Sequence, residues 1–138
     1  MIDFDTYTEL ENEWYNQKQP LVEAGKYEEA ISITEHYLEK LSGDYGQEWS
    51  GKLGRQLLIS LINISHKIKD YDYALQKCVE LSKIDFNKIS GHDGGWAEFY
   101  LGATYYELGN MEKAKEYLLI AKKKSGGRCM ELLGTDKY

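Results

Sequence analysis

The chain has 138 residues, of which 42% are hydrophobic and 29% charged, with a formal net charge of −6 at pH 7. That length builds one core-bearing domain and is too short for two ordinary ones. Residues 1–50 hold twelve acidic and three basic side chains, a balance of −9, while residues 51–138 balance at +3, so nucleic acid is not an expected partner. No stretch approaches the roughly 20 apolar residues of a membrane span. The start, Met1-Ile2-Asp3-Phe4-Asp5, has neither the basic region nor the apolar run of a signal peptide. Cys78 and Cys129 are too few for a disulfide framework and have no metal-pair spacing. A cytoplasmic protein without a membrane partner is the expectation.

Along the chain, one six-residue pattern recurs without gaps: Gly25-Lys26-Tyr27-Glu28-Glu29-Ala30, Lys69-Asp70-Tyr71-Asp72-Tyr73-Ala74 and Gly109-Asn110-Met111-Glu112-Lys113-Ala114. Each reads as a tight turn followed by a helix whose first buried position is alanine. Three such turns predict three helix pairs, an all-α chain in a single domain spanning 1–138. Setting the units at 11–44, 55–88 and 95–128 leaves inserts at 45–54 and 89–94, both glycine-rich and expected to be loops. Leu57-Leu58-Ile59, Leu61-Ile62 and Ile64 are apolar over more than one face, as a sandwiched central unit requires. Glycine at 102 and alanine at 30, 74 and 114 let paired helices approach closely. In the tail, 129–138, Cys129-Met130-Glu131-Leu132-Leu133 is apolar enough to fold back over the last helix; a dimer contact is the other way to cover it.

In this register the chain resembles the tetratricopeptide-repeat family, whose pattern is W-x₂-L-G-x₂-Y, then A-x₃-F, then P. The third unit carries Leu101-Gly102-x₂-Tyr105, Ala114 and Leu118; the first carries Trp14 and Ala30; the second carries Leu58, Leu61-Ile62, Ala74 and Cys78. The closing proline slot holds Ser42, Phe86 and Gly126 instead. The resemblance implies a short right-handed α-solenoid of three helical hairpins that binds protein.

The family's groove slots fall on Asn12, Tyr15, Asn16, Gln19 and Val22 in the first unit. In the second they fall on Gln56, Ile59, Ser60, Asn63 and His66, and in the third on Trp96, Phe99, Tyr100, Ala103 and Tyr106. A partner segment anchored at Trp96, Phe99, Tyr100 and Tyr106 is the functional reading, since Trp and Tyr are frequent interface anchors. The competing reading is that these rings pack on one another and close the solenoid. The slots used by chaperone-binding members to grip a terminal carboxylate carry Tyr15, Gln19, Ser60, Trp96 and Tyr100, so that clamp is not expected.

Glu9, Glu11, Glu13, Glu23, Glu28 and Glu29 form an acidic edge suited to a basic partner. His36 and His66 stand alone on helices, and His92-Asp93 reads as a turn with Asp93 capping the helix from Trp96. Lys122-Lys123-Lys124 reads as a solvated helix end. With no phosphate loop, nucleophile motif or metal spacing, neither catalysis nor a cofactor is expected. The chain is similar to small stand-alone tetratricopeptide immunity proteins of bacterial polymorphic toxins. That likeness implies a monomer or weak homodimer that binds and neutralises a cognate toxin domain. A secretion chaperone or a scaffold holding an extended segment is the alternative.

Overall fold

In the computed structural model, residues 2–125 are described. Their regular elements are all helical: α1 (Phe4–Glu23), α2 (Tyr27–Glu39), α3 (Glu48–Lys67), α4 (Tyr71–Ser82), α5 (Phe86–Ser90), α6 (Trp96–Glu107) and α7 (Met111–Ser125). Four helix starts are held by a short polar side chain that accepts a free backbone N–H. Asp3 accepts from Thr6 at 2.8 Å, and Asp70, Asp85 and Asn110 accept from Tyr73, Lys88 and Lys113 at 3.2, 3.1 and 3.2 Å.

The repeated six-residue pattern is a repeated backbone closure. The N–H groups of Lys26, Asp70 and Asn110 reach back five residues to the carbonyls of Leu21, Ser65 and Tyr105, at 2.8, 2.9 and 2.9 Å. The residue before each is left-handed, with φ of +75° at Gly25, +60° at Lys69 and +83° at Gly109. This ends one helix and launches the next within three residues. Ala30, Ala74 and Ala114 follow as the first buried residues of α2, α4 and α7, as the pattern predicts.

Packing follows chain order. α1 lies on α2, α3 on α4 and α6 on α7; α2 also meets α3, and α4 meets α6. The central helix α3 touches α1 and α5 as well, and its Leu53, Leu57, Leu58, Leu61 and Ile62 are wholly buried. The aliphatic hydroxyls of Thr34, Ser65 and Thr104 are satisfied along their own helices. Thr34, Ser65 and Thr104 donate to the carbonyls of Ala30, Leu61 and Tyr100 at 2.8, 2.5 and 2.7 Å, so no water is needed to carry them inside.

Residues 48–54 are the main departure from expectation. They are the first two turns of α3 and not a loop. Their glycines serve close approach: a Cβ at Gly51 would lie 2.8 Å from the Tyr45 carbonyl oxygen and 2.7 Å from Ile89 Cγ2, and one at Gly54 would lie 2.6 Å from Tyr45 Cδ1. Only 45–47 of the first insert precede the helix. The second insert begins with the last two residues of α5, Ile89 and Ser90, and is irregular from Gly91 to Gly94. Gly102 acts as expected, with Leu118 Cγ 2.6 Å from where its Cβ would be. The tail 129–138 and residues 126–128 of the third unit lie outside the described residues.

Candidate functional site

Helical periodicity sets two strips facing each other. On α1, Trp14, Tyr15, Lys18 and Val22 share a face; on α3, Arg55, Ile59, Asn63 and Lys67 recur at a spacing of four, flanked by Gln56, Ser60 and Ile64. With Tyr27 from the start of α2 they enclose a cleft of about 420 Å³. The tryptophan is its fixed floor. Trp14 is 4% exposed, and its Nε1–H donates to Thr34 Oγ1 at 2.9 Å. Tyr15, by contrast, is 50% exposed and free to be covered.

Lys18 extends over both rings, with Nζ 4.9 Å from the Trp14 centroid and 5.0 Å from that of Tyr15. This is cation–π geometry, and burial lowers the ammonium's pKa below its ordinary value. At Gln56, Nε2 donates to Tyr7 Oη at 2.6 Å and to Glu11 Oε2 at 2.7 Å, tying α1 to α3. Burial, with the Glu11 carboxylate adding to it, pushes the Tyr7 hydroxyl up to about 12.

The sequence-predicted residues divide sharply. Tyr15, Val22, Gln56, Ile59, Ser60 and Asn63 come together in the cleft. Asn16 is exposed outside its lining, and Gln19 turns to neighbours, accepting from Lys18 Nζ at 3.2 Å and donating to Glu23 Oε1 at 3.4 Å. His66 is directed at α6, with Nε2 3.0 Å from Thr104 Oγ1 and its ring edge-on to Tyr71 at 5.1 Å.

In the third unit, Phe99 and Tyr100 are 2% and 5% exposed, edge-to-face at 5.4 Å, and belong to the core. They are not an open docking strip. The reason lies in α6, where every residue from Phe99 to Thr104 is buried, so the helix is enclosed on all sides. Trp96 and Tyr106 are half-buried, and Trp96 stacks on Tyr100 at 6.3 Å. For Phe99 and Tyr100, the packing reading replaces the anchoring one.

The acidic edge is also uneven. Glu9, Glu13, Glu23, Glu28 and Glu29 are exposed, whereas Glu11 is half-buried against Gln56. Glu28 and Glu29 border a shallow depression with Leu21, Ser32 and Ile33.

Asp93 does not cap α6. Its Oδ1 accepts from the Gly95 N–H at 2.9 Å, and its Oδ2 receives Lys124 Nζ at 2.8 Å. Lys124 also meets Glu98 Oε1 at 2.5 Å, so it clamps α7 onto the loop before α6 and is more than a solvated helix end. Burial pulls the Asp93 carboxyl upward, but Lys124 and the Gly95 N–H outweigh it and hold the pKa below its ordinary value.

Sequence reasoning missed Lys18, Arg55 and Lys67 at the cleft. The signal was present: Arg55, Ile59, Asn63 and Lys67 form one i, i+4 row, and Lys18 follows Trp14 by four. Among the described residues none of the three cations has a carboxylate within ion-pair distance. Nor do three His, Cys, Asp or Glu side chains there gather as a metal site would need. No helix among them is long and apolar enough to cross a membrane. Comparison with protein-family models, with curated proteins and with solved structures found no match to this chain.

Proposed function

We propose that this chain is a non-catalytic protein-binding module, a short α-solenoid of tetratricopeptide type that engages its partner at the cleft between α1 and α3. The observation that carries the reading is the cleft itself: a buried floor at Trp14, an exposed ring at Tyr15 and cations with no carboxylate partner among the described residues. Aromatic surface beside a few placed charged groups is what interfaces use as anchors. The partner proposed is a toxin domain that the chain neutralises inside the cytoplasm. The exposed acids Glu9, Glu13, Glu23, Glu28 and Glu29 support a partner with a basic patch, which they would steer into contact.

Co-expression with the product of the neighbouring open reading frame tests this, read by pull-down and by growth. The expected result is a stable complex and restored growth, with Tyr15→Ala weakening the complex about tenfold or more. A neighbour that is harmless alone and does not co-purify refutes the immunity role. An undiminished complex with Tyr15→Ala refutes the cleft as the contact.

A further inference from the structure

The cleft between α1 and α3 carries the opposite charge to the chain that forms it. The protein has a net charge of −6, and its first fifty residues −9. Yet the charged residues that line the cleft are Lys18, Arg55 and Lys67, and no carboxylate lines it. Among the described residues none of the three is paired with an acid. Lys18 and Arg55 are half-buried and lose hydration without gaining a counter-ion, while Lys67 is exposed; a bound anion would supply the missing counter-charge.

The spacing says what kind of anion. Arg55 and Lys67 are twelve residues apart on one face of α3, hence about 18 Å apart along its axis. One carboxylate or one phosphate cannot engage both. An extended peptide covers that span in about five to six residues. Between the charges α3 carries Ile59, Ser60 and Asn63, and α1 adds Trp14 and Tyr15 to the lining; the amide and hydroxyl suit a peptide backbone and the apolar surface suits its side chains.

We propose that the cleft binds an extended acidic segment of a partner protein, with carboxylate side chains about five to six residues apart meeting Arg55 and Lys67 and apolar side chains between them covering Tyr15. Lys18 supplies a third contact from α1. This rests on the reading of the chain as a protein-binding module, and it adds that the partner presents an acidic stretch here while any basic patch faces the outer edge of α1 and α2.

The test uses the full chain and a displayed library of random twelve-residue peptides, blocked at both ends so that no terminal carboxylate is offered. The expected result is enrichment of Asp or Glu in pairs about five to six residues apart, with Leu, Tyr or Phe between. Selected peptides should bind Lys18→Gln/Arg55→Gln/Lys67→Gln about tenfold or more weakly and lose affinity as salt rises. Circular dichroism of that variant confirms that it folds.

Enrichment of basic or uncharged peptides overturns the inference, as does equal binding by the folded variant or a library that yields no binder. Selection of acidic peptides only from a second library with a free C-terminus, at its last residue, overturns the extended mode. Equal competition by a single-stranded twelve-nucleotide RNA would transfer the cleft to nucleic acid and overturn it too. If the toxin partner co-purifies equally with the triple variant, this inference falls while the protein-binding reading stands. If no partner co-purifies with the unaltered chain, that reading falls by its own test.

Discussion

Gly54 distinguishes a packed helix from a loop by the sign of one measurement. A Cβ there would lie 2.6 Å from Tyr45 Cδ1, 2.7 Å from Tyr45 Cε1 and 3.6 Å from Leu41 Cδ1. The first two distances are untenable and the third is an ordinary contact, so Gly54→Ala conflicts with Tyr45 alone. The half-buried ring must leave its seat, which costs roughly 1.5–2.5 kcal/mol of burial and packing. Against that, alanine in a helix interior is favoured over glycine by about 0.8–1.0 kcal/mol. The net expectation is a loss of about 1 kcal/mol, a fall in Tm of about 2–4 °C for a chain of this size. With Tyr45→Ala already in place the clash is gone and only the propensity gain remains, so Gly54→Ala should then stabilise by about 1 kcal/mol. The coupling is therefore about 2 kcal/mol, well inside what contacting residues show. Urea unfolding followed at 222 nm on the four proteins of the cycle measures it, with an unchanged m-value as the check on two-state behaviour. Were 48–54 a loop, both substitutions would fall within about 0.5 kcal/mol of zero. A stabilising Gly54→Ala in both backgrounds would refute the seating of Tyr45 on α3.

Thr34→Val leaves the buried Trp14 Nε1–H without its acceptor, and should cost about 1–3 kcal/mol in urea unfolding; an unchanged midpoint would mean the indole finds another partner. Lys69, left-handed at φ +60°, stands where the other two turns have glycine. Lys69→Gly should therefore stabilise by about 0.5–1 kcal/mol, read as a rise in Tm, and a fall would contradict the turn geometry. Asp93, its carboxyl held below the ordinary value mainly against burial by Lys124, adds stability when ionised. That contribution is present above about pH 4 and is lost as pH falls through the lowered native value. Asp93→Asn should thus be less stable than the unaltered chain at neutral pH, with the gap closing toward pH 2 in Tm measured against pH; a gap that widens in acid would refute the sign. Cys78, wholly buried and with its thiol pushed up to about 12 by burial, should resist iodoacetamide at pH 8 in the folded chain and react on unfolding, scored by mass spectrometry of its peptide.

The turns were legible because they are local. A left-handed turn residue and an alanine within six positions, with a capping Asp70 or Asn110 in two of the three turns, need no distant neighbour to be recognised, and helix spacing then places Tyr15, Ile59 and Asn63 on facing strips. The glycines at 51 and 54 were not legible in the same way. Glycine signals a loop through its backbone freedom and a close contact through its missing side chain, and only Tyr45 and Ile89 arriving from elsewhere decide between the two.

The same division runs through the candidate site. Family spacing assigned Phe99 and Tyr100 to an open face, but whether a helix face is open depends on what packs against it, and α6 is enclosed all round. The three cations of the cleft were overlooked because linear charge counting places them in different regions, one in the acidic first fifty residues and two beyond them. Sequence by itself determined the all-helical class, the three turns and the buried alanines that follow them, since these are set by backbone conformation and residue size over a few positions. Tertiary structure alone decided that Gly51 and Gly54 are contacts, that Phe99 and Tyr100 are buried and where an acidic chain gathers its basic groups. Those outcomes depend on distances between residues far apart in the chain, and no local pattern encodes them.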